Sequence, residues 1–157
     1  AVTARCTYRD LQRGTMEVRT AERVHLPRDV PAVAEGGLVG RVIRSAGRRH
    51  WLQLITHPAA AAAVQTPDAT IQALVLGSGG PELSVAYVPR QARLERAAIL
   101  ITSGGDGIYP AGIPTARVVR LRETSEPFLE ISAEPTASLE TLRAVVLLSD
   151  WSPRGNP

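Results

Sequence analysis

The strongest constraint on the fold is a short-range alternation of apolar and polar residues that repeats along the chain. In the segment TMEVRT, residues 15–20, Met16 and Val18 alternate with Glu17 and Arg19. A period of two places successive side chains on opposite faces of a β-strand, so that one face can be buried. Similar segments bounded by Gly, Pro or Ser follow at 38–44, 51–56, 70–76, 82–88, 97–103, 114–121, 128–134 and 144–148. The pattern predicts an all-β fold.

Turn signals between these segments predict hairpins and leave little room for helices. Residues 45–50 (SAGRRH) and 77–81 (GSGGP) each join two strand segments through Gly-containing turns. The alanine run at 59–63 lies between two prolines and fits either a short helix or a buried strand. Residues 138–142 (SLETL) fit at most one helical turn capped by Ser138. Short, evenly spaced strands favour a barrel or a sandwich over a parallel βαβ sheet.

The basic and sulfur-containing residues exclude several classes of function. All 18 basic residues are arginine, which excludes Schiff-base catalysis, the phosphate-binding P-loop and Ser-x-x-Lys acylation, because each requires a lysine. Cys6 is the only cysteine, so neither an internal disulfide nor a four-cysteine zinc site can form. No apolar run approaches the roughly 18 residues of a membrane span, and we expect no signal peptide within these residues. Because the chain begins with Ala1, we expect it to be a piece of a longer protein.

Charge is distributed unevenly along the sequence. Residues 1–57 contain ten arginines against five acidic residues, whereas residues 123–150 contain one arginine against six acidic residues. This asymmetry could support head-to-tail self-association or steer a charged partner, although ordinary solvated surface is the simpler interpretation. The basic part contains an arginine cluster: Arg41, Arg44, Arg48 and Arg49. No aromatic stacking set accompanies this cluster, so we expect no nucleic-acid partner.

The segment TSGGDG, residues 102–107, raises the hypothesis of a serine nucleophile. Ser103 lies among glycines, which in serine hydrolases allow the backbone to approach a substrate and donate oxyanion hydrogen bonds. The candidate bases are His25, His50 and His57. However, Ile101 stands where a Gly-x-Ser-x-Gly elbow needs glycine, and Asp106 is too near in sequence to orient a base in the usual way. We therefore favour a wide turn that follows a buried strand. The histidines also lack the spacing of a metal site.

Five segments form an ordered set of motifs. They are EGGLVGRVI (35–43), LQLITHP (52–58), LVLGSGGPELSVAYVP (74–89), ILITSGGDGIYPAGIPTARV (99–118) and EISAEPTASLETLRAVVLL (130–148). In order and spacing they resemble the extracytoplasmic β-domain of the MreC family of bacterial rod shape-determining proteins. The most distinctive part is a Thr-Ser-Gly run, then an aromatic-Pro-x-Gly turn, then a further proline. The resemblance covers about residues 35–148.

The resemblance implies two small six-stranded β-barrels of trypsin-like topology without a catalytic triad. On that basis we expect residues 1–57 plus 125–150 to form the first barrel, residues 58–124 the second, and residues 151–157 a flexible tail. The residues of the structural signature are Gly37, Gly40, Thr102, Ser103, Gly104, Pro110, Gly112 and Pro114. The pair Ala97-Ala98 stands where the family commonly has Gly-Asp, a departure that concerns local turn geometry.

The resemblance also implies a scaffold rather than an enzyme. Members of the family are anchored in the bacterial inner membrane by an N-terminal helix followed by a coiled coil, and their β-domain faces the periplasm. They self-associate as dimers or filaments and engage MreD, the class B penicillin-binding transpeptidase and RodZ, and through these MreB, in cell-wall elongation. No cofactor or metal is implied.

The surface that binds a partner is a separate question. Sheet edges and apolar loop tips are natural candidates. Tyr109 and Pro110 could form such a tip, although they could instead cover a barrel mouth. Two other functions stay open: a trypsin-like serine hydrolase that uses Ser103, and an arginine-dependent module that binds an anionic polymer.

Overall fold

A computed structural model describes residues 1–153 and contains no helix in that range, so no helix of the described residues could span a membrane. Its twelve strands are β1 (Val2–Asp10), β2 (Thr15–Thr20), β3 (Pro31–Ala34), β4 (Gly37–Ala46), β5 (Arg49–Leu54), β6 (Ala61–Gln65), β7 (Gln72–Gly77), β8 (Leu83–Ala86), β9 (Ile99–Thr102), β10 (Pro114–Arg122), β11 (Glu130–Pro135) and β12 (Ala144–Leu147).

The alternating segments of the sequence predict nine of these strands. The alanine run forms β6, so the strand alternative is the correct one. Strands β1 and β3 lack a clear alternation; within the nine residues of β1 only Ala4 is buried. Their pairing partners therefore determine them more than their own composition does.

The strands form two closed antiparallel barrels of six strands each, which confirms the predicted fold class. The first barrel has the strand order β1-β12-β3-β4-β5-β2, and the second has the order β10-β11-β8-β7-β6-β9. In both, the last strand of the order pairs with the first, so that every strand has two hydrogen-bonded neighbours. Sequential hairpins make most of the pairs. The other pairs join strands that are not consecutive: β2 with β5, β6 with β9, β8 with β11, and β12, which returns to the first barrel between β1 and β3.

The predicted division of the chain is wrong at one boundary. Strand β11 pairs with β10 and β8 of the second barrel, with Ile131 opposite both Leu121 and Val85. The second barrel therefore continues to Pro135 rather than ending at residue 124, because β10 and β11 are sequence neighbours that pair as a local hairpin. Within the predicted tail, the Trp151 backbone N donates a hydrogen bond to Leu148 O at 3.1 Å. Residues 154–157 of that tail lie outside the described residues.

Both barrels are filled by the apolar face of the alternation. Met16 and Val18 are buried, as the alternation predicts, whereas Glu17 is partly exposed and Arg19 is exposed. The buried apolar side chains of both barrels belong to one continuous cluster. This burial, at about 25 cal/mol per Å² of apolar surface, is the main stabilising contribution to the fold.

Candidate functional site

Ser103 lies directly after β9 and has no base. Its Oγ accepts a hydrogen bond from Gly105 N at 3.1 Å, and its backbone N donates to Ala63 O at 2.9 Å. Within residues 1–153 no hydrogen bond joins Ser103 to a histidine. A serine nucleophile needs a general base within hydrogen-bond reach. The geometry around Ser103 therefore does not support the serine hydrolase hypothesis.

The three histidines occupy separate places. His50, which the turn signal places in a hairpin loop, instead lies fully buried in β5, with Nε2 3.1 Å from Thr20 Oγ1 and Nδ1 2.8 Å from Ser45 Oγ. Burial lowers the pKa of His50. His57 Nδ1 accepts a hydrogen bond from a backbone amide two residues along, and His25 is exposed. Among the described residues no group of three His, Cys, Asp or Glu side chains could hold a metal ion.

Thr102 fixes the start and the end of the loop that follows β9. The side chain is fully buried, and its Oγ1 donates to Pro110 O at 2.6 Å and accepts from Ile113 N at 2.9 Å. The Thr102 carbonyl also accepts a hydrogen bond from Gly112 N at 2.8 Å. Gly104 and Gly112 have φ values of +81° and +94°, which glycine adopts without a steric penalty. These signature residues therefore close the loop on itself.

Asp106 organises the interior of the same loop. One carboxylate oxygen accepts a hydrogen bond from Ala63 N in β6 at 2.9 Å, and the other accepts from Ile108 N at 3.0 Å and Tyr109 N at 3.3 Å. Asp side chains commonly bond backbone amides two or three residues on, which stabilises a turn. The aspartate that resembles a catalytic group in the sequence is thus a turn-forming residue.

Tyr109 is buried, so of the two alternatives left open by the sequence it is not an exposed partner-binding tip. Only 2% of the residue is exposed. Burial raises the pKa of the Tyr109 phenol well above its ordinary value, and the charges of Arg41 and Asp29 also act on it. Both of these residues belong to the first barrel, where they form an ion pair with each other. The loop after β9 therefore places Tyr109 near the first barrel, at the junction between the two barrels where Gly37 meets Pro114.

Glycine allows the barrels to approach closely at this junction. A Cβ added to Gly37 would lie 2.1 Å from Pro114 O and 2.5 Å from Thr136 Oγ1. Gly40 is equally restricted within the first barrel, where a Cβ would lie 1.9 Å from Gln53 O. No real Cβ tolerates such distances to backbone atoms, so only glycine fits. Gly37 and Pro114 thus lie at the barrel junction, whereas Gly40 lies within the first barrel.

An exposed aromatic surface lies at the other end of the second barrel. Tyr87 follows β8 and is 60% exposed, and Phe128 precedes β11 and is 42% exposed. Their ring centroids are 5.8 Å apart with an interplanar angle of 89°, an edge-to-face pair. The backbone beneath them is paired, because Leu129 N donates to Val88 O at 2.8 Å. We call Tyr87 and Phe128 the aromatic surface.

A local backbone distortion directs Tyr87 to solvent. In β8, Leu83 and Val85 face the core, so regular alternation would also bury residue 87. Tyr87 instead has φ = +74°, a left-handed conformation that costs a non-glycine residue roughly 1–2 kcal/mol. The distortion reverses the alternation, so that Tyr87 is exposed and Val88 is fully buried. Sequence reasoning misses this site because period two alone places Tyr87 in the core.

The closed barrels remove one predicted type of partner site. Every strand of the described residues has two paired neighbours, so neither barrel has an open edge that could accept a strand from a partner. The prediction that strand edges bind partners is therefore wrong for these barrels. A partner must bind side chains on the outer surfaces or loops, and the aromatic surface has the exposed apolar groups suited to that.

Comparisons with known proteins agree with this architecture. A family model described as "Rod shape-determining protein MreC, barrel core" matches residues 9–149. The cell shape-determining protein MreC of Haemophilus influenzae is 33% identical over 120 residues, which cover 75% of this chain and 34% of that protein. The chain therefore spans about a third of the length of this curated relative.

Solved structures show the same fold. The crystal structure of MreC from Pseudomonas aeruginosa aligns with a TM-score of 0.84 at 24% identity, covering 93% of this chain and 97% of that one. A complex between Penicillin-Binding Protein (PBP2) and MreC from Helicobacter pylori aligns with a TM-score of 0.67 at 18% identity, covering 92% of this chain and 94% of the matched chain. With the family model matching nearly the whole sequence, the chain belongs to the MreC family of rod shape-determining proteins.

Proposed function

We propose that this chain is a scaffold domain of the cell-wall elongation complex and that it binds the class B penicillin-binding transpeptidase through the aromatic surface. The observation that carries the proposal is the solvent exposure of Tyr87 and Phe128 in a chain with only six aromatic residues. Further support comes from the relative in Helicobacter pylori, which is described in complex with PBP2.

The aromatic surface has the physical properties of an interface anchor. Large aromatic side chains carry much of the binding energy at protein interfaces, because they bury a large area with few rotatable bonds. The left-handed conformation of Tyr87 adds to this interpretation, since strained backbone tends to be retained where a side chain must be presented for function. The edge-to-face pair also limits the rotamers of both rings, which lowers the entropy lost on binding.

The wider role follows from family membership and is part of the same proposal. The domain lies on the periplasmic face of the inner membrane, in a protein anchored there by a segment outside this chain. It self-associates, and it contacts MreD and RodZ and, through them, MreB. Binding acts allosterically, because it favours an active conformer of the transpeptidase to which the scaffold binds more tightly.

Binding of the purified periplasmic region of the cognate transpeptidase, measured by biolayer interferometry, tests the proposal. The double variant Tyr87→Ser/Phe128→Ser should weaken binding about 30-fold or more, since even one aromatic hot spot contributes about 2 kcal/mol. Leu11→Ser is the control, because Leu11 is 39% exposed but lies in the turn after β1 on the first barrel; its affinity should stay within about twofold. Equal affinity of the double variant and the unmodified chain would show that the aromatic surface is not the site.

Self-association is tested separately by sedimentation velocity over a range of protein concentrations. The proposal predicts a concentration-dependent increase in the sedimentation coefficient. A domain that stays monomeric, and that is also monomeric when joined to its preceding segments, would contradict this part of the proposal without affecting the transpeptidase site.

A further inference from the structure

A row of arginines crosses the outer face of the first barrel. Arg5 in β1 lies directly opposite Arg19 in β2, and Arg19 lies directly opposite Arg49 in β5. All three residues are exposed. Neighbouring strands are about 4.8 Å apart, so three positive charges follow one another across three strands. We call these residues the arginine row.

The arginine row does not stabilise the folded chain. Like charges directly opposite each other on adjacent strands destabilise a sheet. Arg49 has a partner, because its Nη2 lies 2.9 Å from Glu17 Oε1. By contrast, within residues 1–153 neither Arg5 nor Arg19 has an ion pair or a side-chain hydrogen bond. Two opposed and unpaired cations therefore face solvent, where they are available to an anionic partner.

Aromatic side chains lie in the next row of the same face. Arg44 Cζ is 4.4 Å and Arg49 Cζ is 5.2 Å from the Trp51 ring centroid. Tyr8 is in the same cross-strand row, opposite Glu17, and is 64% exposed. Stacking on Trp51 restricts the two guanidinium groups, so less side-chain entropy is lost when they bind a ligand. Tyr, Trp and Arg together are the residue types enriched in protein interfaces.

The shape of this face decides what kind of ligand fits. Arg5, Arg19 and Arg49 are all exposed on strands of the outer barrel surface, and neither of the two surface grooves of the described chain includes them. The strands that carry the row are paired on both sides, which prevents addition of a partner strand. On the convex outside of a barrel the side chains diverge, so the charged groups are spaced more widely than the strands, which lie about 4.8 Å apart. Every second residue of an extended peptide repeats at about 6.7 Å, a spacing of the same order.

We propose that the arginine row binds an extended acidic segment of a partner protein, with carboxylates at every second residue, laid across strands β1, β2 and β5. The planar guanidinium group pairs with a carboxylate through two parallel hydrogen bonds, and Arg5 and Arg19 supply two such groups. Tyr8 and Trp51 contact the apolar or backbone parts of the segment beside the row. This interaction is independent of the aromatic surface on the second barrel.

A second copy of this chain is a poorer fit than an acidic segment. Three carboxylates on the strands of the second barrel are already paired with its own arginines: Glu134 lies 3.0 Å from Arg117, Glu82 2.7 Å from Arg120 and Glu130 2.6 Å from Arg122. Binding to the arginine row of another copy would first require breaking these pairs. An acidic segment without such internal partners brings free carboxylates.

Fluorescence anisotropy at low salt with a labelled, alternating Glu–Ser peptide of about a dozen residues tests the proposal. The 157-residue chain should bind this peptide more tightly than a peptide of the same composition with its glutamates in one block. Exposed ion pairs contribute between about 1.4-fold and about fivefold in affinity each, so Arg5→Gln/Arg19→Gln should bind roughly two- to 25-fold more weakly. Higher salt should weaken binding by the unmodified chain, because these pairs are exposed.

The matched control is Arg93→Gln/Arg96→Gln, which removes two exposed positive charges from the second barrel. It should bind the alternating peptide nearly as well as the unmodified chain; an equal loss would mean that net charge alone attracts the peptide and would overturn the proposal. Vesicles of phosphatidylglycerol distinguish a membrane partner. Binding to vesicles but not to the peptide, lost in Arg5→Gln/Arg19→Gln, would also overturn it. The melting temperature of Arg5→Gln/Arg19→Gln should be unchanged or higher, because the repulsion between the two arginines is removed. A decrease would mean that Arg5 or Arg19 has a stabilising partner within the fold.

Discussion

The first and second barrels each close six antiparallel strands, yet they arrange their surface charges in opposite ways. In the second barrel, Arg117 lies opposite Glu134 and Arg122 lies opposite Glu130, so the register itself forms ion pairs. In the first barrel the register places arginines opposite one another. Closure of a barrel depends on the inward side chains and the backbone ladder, so the outward side chains are free to differ. The difference indicates that the first barrel has kept a charged surface for a purpose other than stability.

The barrels also differ in how they present aromatic side chains. The second barrel exposes Tyr87 and Phe128 at one end and inserts Tyr109 at the other, beside the first barrel. One end is therefore open to partners, whereas the other is used for the junction. The first barrel exposes Tyr8 on the face that carries the arginine row. Each barrel thus has its own candidate surface, with different chemistry.

The largest effect is expected at the junction that holds the two barrels together. Gly37→Ala should lower the free energy of unfolding by roughly 3 kcal/mol, because the new Cβ would lie 2.1 Å from Pro114 O and the residue has φ = +142°. Urea denaturation followed by circular dichroism measures this loss. Gly107→Ala is the control: its φ is +69°, but a Cβ added there would meet no atom within 4 Å, so only about 1 kcal/mol should be lost. Equal losses would mean that backbone strain, and not contact between the barrels, determines the effect.

A smaller effect is expected in the interior of the first barrel, where the buried His50 should make the stability of the fold sensitive to acid. Burial lowers the pKa of His50 from 6.5, so the unfolded state binds a proton more readily than the folded state does. The contribution of the neutral, buried His50 to the free energy of unfolding should be fully present above about pH 6.5 and should be lost as the pH falls below that value. Melting temperatures at about pH 7.5 and about pH 5.5 measure the loss, and His50→Gln, which keeps a donor and an acceptor, should reduce the difference between them. An unchanged pH dependence in this variant would assign the acid sensitivity to other groups.

The smallest effects concern the surface charges, and they should have opposite signs. Glu134→Gln in the second barrel should cost about 0.5 kcal/mol, because it removes a carboxylate directly opposite Arg117. Arg19→Gln in the first barrel should add about 0.5 kcal/mol, because it removes the repulsion from Arg5 and Arg49. Urea denaturation at low salt measures both, and high salt should reduce both effects. If Arg19→Gln destabilises the chain, the arginine row has a structural partner and the contrast between the barrels fails.

Local sequence patterns predict the strands well where alternation is strong. Strand β2 matches the segment TMEVRT at both ends, and the predicted connections at 45–50 and 77–81 are found as tight turns between paired strands, although the first is only Gly47 and Arg48 because β4 and β5 extend into it. Strand β1 escapes prediction because it buries little of its own surface. The turn at Ala97 has φ = +69°, a conformation that suits the glycine common in the family at this position.

Predictions about the candidate site succeed less well, because its position depends on long-range contacts. Asp106 is visible in the sequence as a polar group among glycines, but its bond to Ala63 N depends on the pairing of distant strands. Tyr109 and Tyr87 are both tyrosines near glycine or proline, and nothing local distinguishes the buried one from the exposed one. His50 lies in an arginine-rich turn by sequence, yet the register of β5 turns it inward between Thr20 and Ser45.

The sequence by itself determined that the chain forms short strands separated by glycine and proline, which residues of most strands face inward, and that lysine-dependent chemistry is absent. The ordered motifs added the family and the two-barrel architecture. Only the tertiary structure decided that β11 belongs to the second barrel, that Gly37 meets Pro114, and that Tyr87 rather than Tyr109 faces solvent. The physical reason is that alternation specifies the faces of one strand, whereas pairing, closure and a single left-handed residue are fixed by atoms far apart in the chain.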